Sequence, residues 1–111
     1  MQIIGTLKCR ETKKCRLWFD QRGLKYHFVD ISKKPLSPGE LDSVAAVIGW
    51  DNMIDKSGKV WKKRQLEWKD FDPREELLQE PELLVTPVVR EKRTVIAGYR
   101  PDQYNIFLKE K

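Results

Sequence analysis

The chain has 111 residues, of which 40 % are hydrophobic, with four tryptophans and a formal net charge of +5 from 22 basic and 17 acidic residues. That is enough for one modest core, read as a single domain over residues 1–111, and it excludes a disordered chain. No run approaches the roughly 20 apolar residues of a membrane span and the N-terminus lacks a signal-peptide pattern, so a cytoplasmic protein with no membrane partner is expected.

In chain order, Gln2–Gly5 is a short apolar run that reads as a strand. Residues Arg10–Arg22 carry Cys15, Trp18 and Phe19 at i, i+3, i+4 spacing and stop at Gly23, the pattern of an amphipathic helix. Tyr26–Ile31 is rich in aromatic and β-branched residues and reads as a second strand. The opening is therefore a βαβ unit, whose strands are parallel and whose crossover is right-handed.

Ser37-Pro38-Gly39-Glu40 is a capping box with proline at the first helical position, and Leu41, Val44, Ala45 and Ile48 continue one face up to Gly49. Trp50–Phe71 holds Trp61, Leu66 and Trp68 among many charges and predicts short helical pieces and turns. Asp72-Pro73-Arg74-Glu75 repeats the helix-start signal, with Leu77 and Leu78 in a short helix before Pro81. Pro87–Arg90 and Thr94–Gly98 fit a hairpin across Glu91-Lys92-Arg93. Pro101 opens a last helix with Tyr104, Phe107 and Leu108 on one stripe. The order β-α-β, helical insert, β-β-α is an α/β, thioredoxin-like plan with a mixed four-stranded sheet.

Two cysteines are too few for a disulfide scaffold and read as thiols. Cys9 stands between the first strand and the first helix, where free backbone N–H groups and the positive helix end converge. Lys8, Arg10, Lys13 and Lys14 add positive charge, a setting that lowers a thiol pKa. Position alone allows either a reactive thiol or a capping, partly buried one. Cys15 shares the apolar face with Trp18 and Phe19 and reads as a buried structural thiol. On a helix the two cysteines stand about 9 Å apart along the axis and about 240° around it. A disulfide needs Cα atoms within about 4.4 to 6.8 Å, so the pair cannot close without unwinding the helix.

Cys9-Arg10-Glu11-Thr12 is not C-x-x-C, and the arginine spacing of a tyrosine phosphatase loop is absent. The lone His27 has no spaced partners for a metal, and Asp30 and Asp55 have no evident carboxylate partner. The basic clusters favour anionic partners mildly, and no nucleic-acid motif accompanies them.

Ile3-Ile4-Gly5-Thr6-Leu7-Lys8-Cys9-Arg10-Glu11-Thr12-Lys13-Lys14 resembles the start of the arsenate reductase-like (ArsC/Spx) family. Leu84-Val85-Thr86-Pro87-Val88-Val89 is similar to its later cis-proline segment, and Ala97-Gly98-Tyr99-Arg100-Pro101 to the arginine-proline step before its last helix. The resemblance implies a thioredoxin-like fold and a reductase whose nucleophile is Cys9, with Lys8, Thr12, Lys62, Thr86, Pro87 and Arg100 binding substrate. It implies no bound cofactor, glutathione as thiol co-substrate, and glutaredoxin as a further donor. It also implies that Thr86–Pro87 is cis and turns the nearby backbone toward Cys9. Of the three arginines that hold arsenate in the family, Arg100 matches one, Lys62 falls near the second, and Thr86 replaces the third. The anion site thus loses a full charge, which disfavours arsenate. The Spx branch consists of transcription regulators that bind RNA polymerase and whose redox switch uses C-x-x-C, and Thr12 takes the second cysteine's place, which disfavours a redox-switched Spx. A thiol reductase and a noncatalytic protein-binding module both remain.

Overall fold

The computed structural model describes residues 1–65 and 70–108. Strand β1 (Gln2–Gly5) lies in the middle of a four-stranded sheet of order β2-β1-β3-β4, with β2 at His27–Asp30, β3 at Val88–Glu91 and β4 at Thr94–Ala97. β1 runs parallel to β2, with Ile4 opposite Val29, and antiparallel to β3, with Ile4 opposite Val88. β3 and β4 form the expected hairpin, tightened to Lys92 and Arg93 at the turn, where Lys92 takes a φ of 55°.

Because side chains alternate along a strand, Ile3 and Ile4 enter different cores. Ile3, Val89 and Ile96 pack with Cys15, Trp18 and Phe19 of helix α1 (Arg10–Gln21) and with Tyr104 and Phe107. Ile4 and Val88 pack with Leu41 and Val44 of α2 (Pro38–Ile48) and with Met53, Trp61, Leu77 and Leu83 of the insert. Burial on both faces is why β1 reads as a continuous apolar run rather than an alternating one. This is the mixed four-stranded α/β sheet, with a helical insert between its βαβ and ββα halves.

The α2 capping box is complete: Glu40 N–H donates to Ser37 Oγ at 3.2 Å and Ser37 N–H donates to Glu40 Oε1 at 3.0 Å. After Gly49, with a φ of 84°, the insert runs through a 3-10 turn at Trp50–Met53, α3 (Lys59–Arg64), α4 (Pro73–Gln79) and a 3-10 turn at Pro81–Leu83. Trp61 is buried against Phe71, whereas Leu66 and Trp68 lie outside the described residues. Arg64 pairs with Glu76 to join α3 to α4, and Arg74 Nε donates to Asp42 at 2.9 Å to join α4 to α2. Two backbone bonds, Asp55 N–H to Leu83 O and Val85 N–H to Met53 O, both 2.8 Å, fasten the insert to the segment leading into Thr86.

The last helix differs from expectation. Helix α5 covers only Pro101–Tyr104 and tightens into a 3-10 turn at Asn105–Phe107, so Tyr104 and Phe107 are buried but Leu108 is 37 % exposed. The change in pitch breaks the i, i+4 stripe after Tyr104. Among the described residues no helix is long and apolar enough to cross a membrane.

Ser37→Ala is expected to lower stability by about 1 kcal/mol in chemical denaturation, since it leaves the Glu40 N–H without its acceptor. Leu108→Ala should change stability little, because that side chain already meets solvent.

Candidate active site around Cys9

The loop from β1 to α1 is pinned by Thr6. The Cys9 N–H donates to Thr6 Oγ1 at 3.2 Å and to Thr6 O at 3.3 Å, which turns the chain into the helix. Cys9 is the N-cap residue of α1, with φ −73° and ψ 119°, and Lys13 N–H closes the first turn on Cys9 O at 3.1 Å. Its thiol is half-buried. From across the sheet, Thr86 Oγ1 donates to Cys9 Sγ at 3.1 Å, and the thiol faces Thr86 O at 3.9 Å. The Thr86–Pro87 bond is cis, as the resemblance implied, and Pro87 is buried.

Burial works to raise the Cys9 pKa, but it is outweighed by hydrogen bonding to the thiolate from the Thr12 hydroxyl, the Thr86 hydroxyl and the Thr12 and Glu11 N–H groups. The net effect lies below the ordinary thiol value. The helix-start N–H groups act as the sequence implied, whereas the two hydroxyls were not anticipated; the basic cluster Lys8, Arg10, Lys13 and Lys14 is exposed, and water screens such charges. Cys15 shows the opposite environment. It is fully buried, and desolvation pushes its pKa up to about 11 against a hydrogen bond with Tyr104.

Cys9 opens on a cleft of about 610 Å³. Of the residues proposed to bind substrate, Lys8 and Thr86 line it, whereas Arg100, Lys62 and the buried Pro87 do not. Arg100 is exposed and turned back, with Nε donating to Ala97 O at 3.1 Å, and Lys62 projects from the exposed side of α3. Thr12 is 1 % exposed and so cannot touch a ligand in the cleft; it belongs to the sulfur and not to the substrate. The cleft's cations are Lys8, Lys33 and Lys59, and its carboxylates Asp30, Asp55 and Glu82.

Lys33 and Lys59, which pattern reading missed, both line the cleft, and each follows a loop of the same build. Asp30 accepts from Ser32 Oγ at 2.6 Å and from its N–H at 3.0 Å, and Asp55 accepts from Ser57 Oγ at 2.7 Å and from its N–H at 3.1 Å. The bond from Ser32 is the leading cause of a lowered Asp30 pKa. An Asp-x-Ser turn followed within two residues by lysine was the available signal. The two aspartates hold their loops in shape.

A four-stranded mixed sheet with a thiol at the start of its first helix and a cis-proline opposite defines a thioredoxin-like protein. The chain belongs to the ArsC family, whose family model matches residues 5–107. Over 109 residues it is 30 % identical to the global transcriptional regulator Spx 2 of Oceanobacillus iheyensis, covering 93 % of this chain and 80 % of that protein. The solved structure of a YFFB protein superposes with a TM-score of 0.86 at 25 % identity, covering 95 % of this chain and 96 % of the other. An arsenate reductase (ArsC) related protein from Brucella melitensis does so with a TM-score of 0.75 at 26 % identity, covering 97 % and 93 %.

Iodoacetamide at neutral pH is expected to label Cys9 and spare Cys15 in the folded protein, as peptide mapping would show; equal labelling would contradict the environments described. Cys15 also sets an alkaline limit. A thiol whose pKa is raised by folding contributes stability that is whole below the ordinary thiol range and lost as pH climbs toward about 11. Cys15→Val should therefore flatten the alkaline part of a curve of denaturation midpoint against pH.

Proposed function

We propose that this chain is a monothiol reductase of the ArsC family, in which the Cys9 thiolate exchanges with glutathione and its mixed disulfides. The carrying observation is a half-buried thiol, biased toward its anion, at the edge of a cleft walled by three lysines and three carboxylates. Attack of the Cys9 thiolate on a mixed disulfide forms a new S–S bond to Cys9 and expels the other sulfur as a thiolate. A second glutathione thiolate then attacks the glutathionyl sulfur, forms glutathione disulfide and returns the electron pair to Cys9. A glutaredoxin can serve in that second step. Cys15 does not, since it lies buried on the other side of α1's first turns.

Walls of both signs suit a tripeptide that carries an ammonium and two carboxylates better than they suit a compact oxyanion. Arsenate needs cations converging on one point, and here Arg100 is engaged with Ala97 O and Thr86 stands at the sulfur in place of a charge. A cycle driven by reduced glutathione places the protein in the cytoplasm.

The identity with the Spx regulator over most of the chain supports a second reading, a module that binds a protein partner and does not need Cys9 chemistry. Mass spectrometry after incubation with oxidised glutathione separates the two. The reductase reading expects one glutathione on Cys9, none on Cys15 and none in Cys9→Ser. It also expects arsenate turnover with glutathione and glutaredoxin at background. Absence of any adduct would transfer the assignment to the partner-binding module, and robust arsenate turnover would overturn the charge argument.

A further inference from the structure

The Thr12 hydroxyl is a buried polar group that finds no partner beside the resting thiol. Thr12 is 1 % exposed, and its Oγ1 has no hydrogen-bond partner among the described residues. Such groups are rare and costly, and a helical threonine ordinarily relieves the cost by donating to the carbonyl one turn back. Valine has nearly the same shape without the cost. The retained hydroxyl therefore calls for a use that the resting thiol does not display.

Its placement supplies the use. Side chains on a helix lean toward the N-terminus, so the Thr12 side chain lies over the turn that begins at Cys9, three residues earlier. The strand beneath holds it there. A Cβ added at Gly5 would stand 2.5 Å from Thr12 Oγ1 and 2.7 Å from its Cγ2, so only glycine lets the threonine approach this closely. Thr86 differs from it: half-buried and lining the cleft, it is open to a ligand as well as to the sulfur.

We infer that Thr12 is a positioning residue for Cys9, a donor kept out of reach of solvent and ligand that bonds the sulfur when it becomes a thiolate. This rests on the reading of Cys9 as the reacting thiol. Its largest effect falls on the release step. When an external thiolate attacks a Cys9 mixed disulfide at the partner sulfur, a new disulfide leaves, the bond to Cys9 breaks, and the electron pair remains on Cys9 Sγ. A leaving sulfur with a lower pKa departs faster, and the Thr12 hydroxyl is placed to receive that charge. In a chain with no second thiol within reach of Cys9, this donor assists turnover where a resolving cysteine would otherwise act.

The charged groups near the sulfur are Lys8, Arg10, Glu11, Lys13 and Lys14 at the start of α1, Asp30 and Lys33 at and after the end of β2, Asp55 and Lys59 around the start of α3, and Glu82 before Thr86. They act through an open, solvated cleft and stay unchanged in a Thr12 variant, which isolates the hydroxyl.

The test compares Thr12→Val and Thr12→Ser in the full chain by three measurements: the pH profile of Cys9 alkylation, the rate at which dithiothreitol releases a preformed β-mercaptoethanol adduct, and the melting temperature. Thr12→Val is expected to move the alkylation midpoint up by about one pH unit, comparable to the loss of one charge-assisted hydrogen bond. Adduct release should slow several-fold while the melting temperature holds or rises. Thr12→Ser, which restores a hydroxyl, should return both the midpoint and the release rate toward wild type. An unchanged midpoint in Thr12→Val, or a serine variant that behaves like valine, would overturn the inference alone. A wild-type midpoint in the ordinary free-thiol range would overturn both the inference and the reading beneath it. Should Thr12→Val fail to fold, Gly5→Ala crowds the same hydroxyl; an upward midpoint supports the inference and an unmoved one overturns it.

Discussion

At the end of β1 the backbone of Gly5 meets the side chain of Thr12 with no room for a Cβ between them. That contact sets how deeply the first turn of α1 sits on the sheet, and with it the position of Cys9 at the helix start. The neighbouring elements depend on the same point. Gly5 pairs with Asp30, whose carboxylate shapes the loop bearing Lys33, and Gly5 O accepts from Ile31 N–H at 3.0 Å. One residue earlier, Ile4 pairs with Val88, which follows Thr86 and Pro87 and so brings Thr86 Oγ1 to the sulfur. A central strand of four residues thus gathers the thiol, its donors and one wall of the cleft.

The electrostatics of the site follow from distance more than from formal charge. Exposed lysines and arginines around α1 outnumber the hydroxyls, but water screens them, whereas two threonines and two backbone N–H groups lie close to the sulfur. Six residues further along the helix, Cys15 is surrounded by Trp18, Phe19 and Tyr104 with little to stabilise its anion. The same amino acid therefore acts as a nucleophile in one place and as core filling in the other. The stability given up at the unpartnered Thr12 hydroxyl is the expected cost of keeping a donor ready for a charge that forms during reaction.

Much of this is legible in the sequence. The βαβ opening, the Ser37–Glu40 capping box, the hairpin and the inward-facing Cys15 all carry periodic or local signals, and the structure keeps each within one or two residues. The place of Cys9 at the helix start follows from the strand and helix signals, and the cis bond before Pro87 from the family resemblance; the fold has both. Less was legible where contacts join distant segments. Lys33 follows β2 and Lys59 opens α3, and only the tertiary fold brings them to one cleft. Arg100 matched a motif, yet its guanidinium folds back onto the hairpin's end. Thr12 was read as a substrate contact, and the approach of Gly5 turns it instead into a buried donor.

Membership of the ArsC family joins this chain to relatives named as transcription regulators and as reductase-related proteins, so the fold alone does not choose between binding and catalysis. The choice rests on the state of one sulfur. The most direct test is an ultraviolet titration of thiolate absorbance in Cys15→Ala, where Cys9 is the remaining cysteine. A single transition clearly below the range of a free thiol, absent in the double variant that also carries Cys9→Ser, is the predicted result. A transition at or above that range would contradict the account.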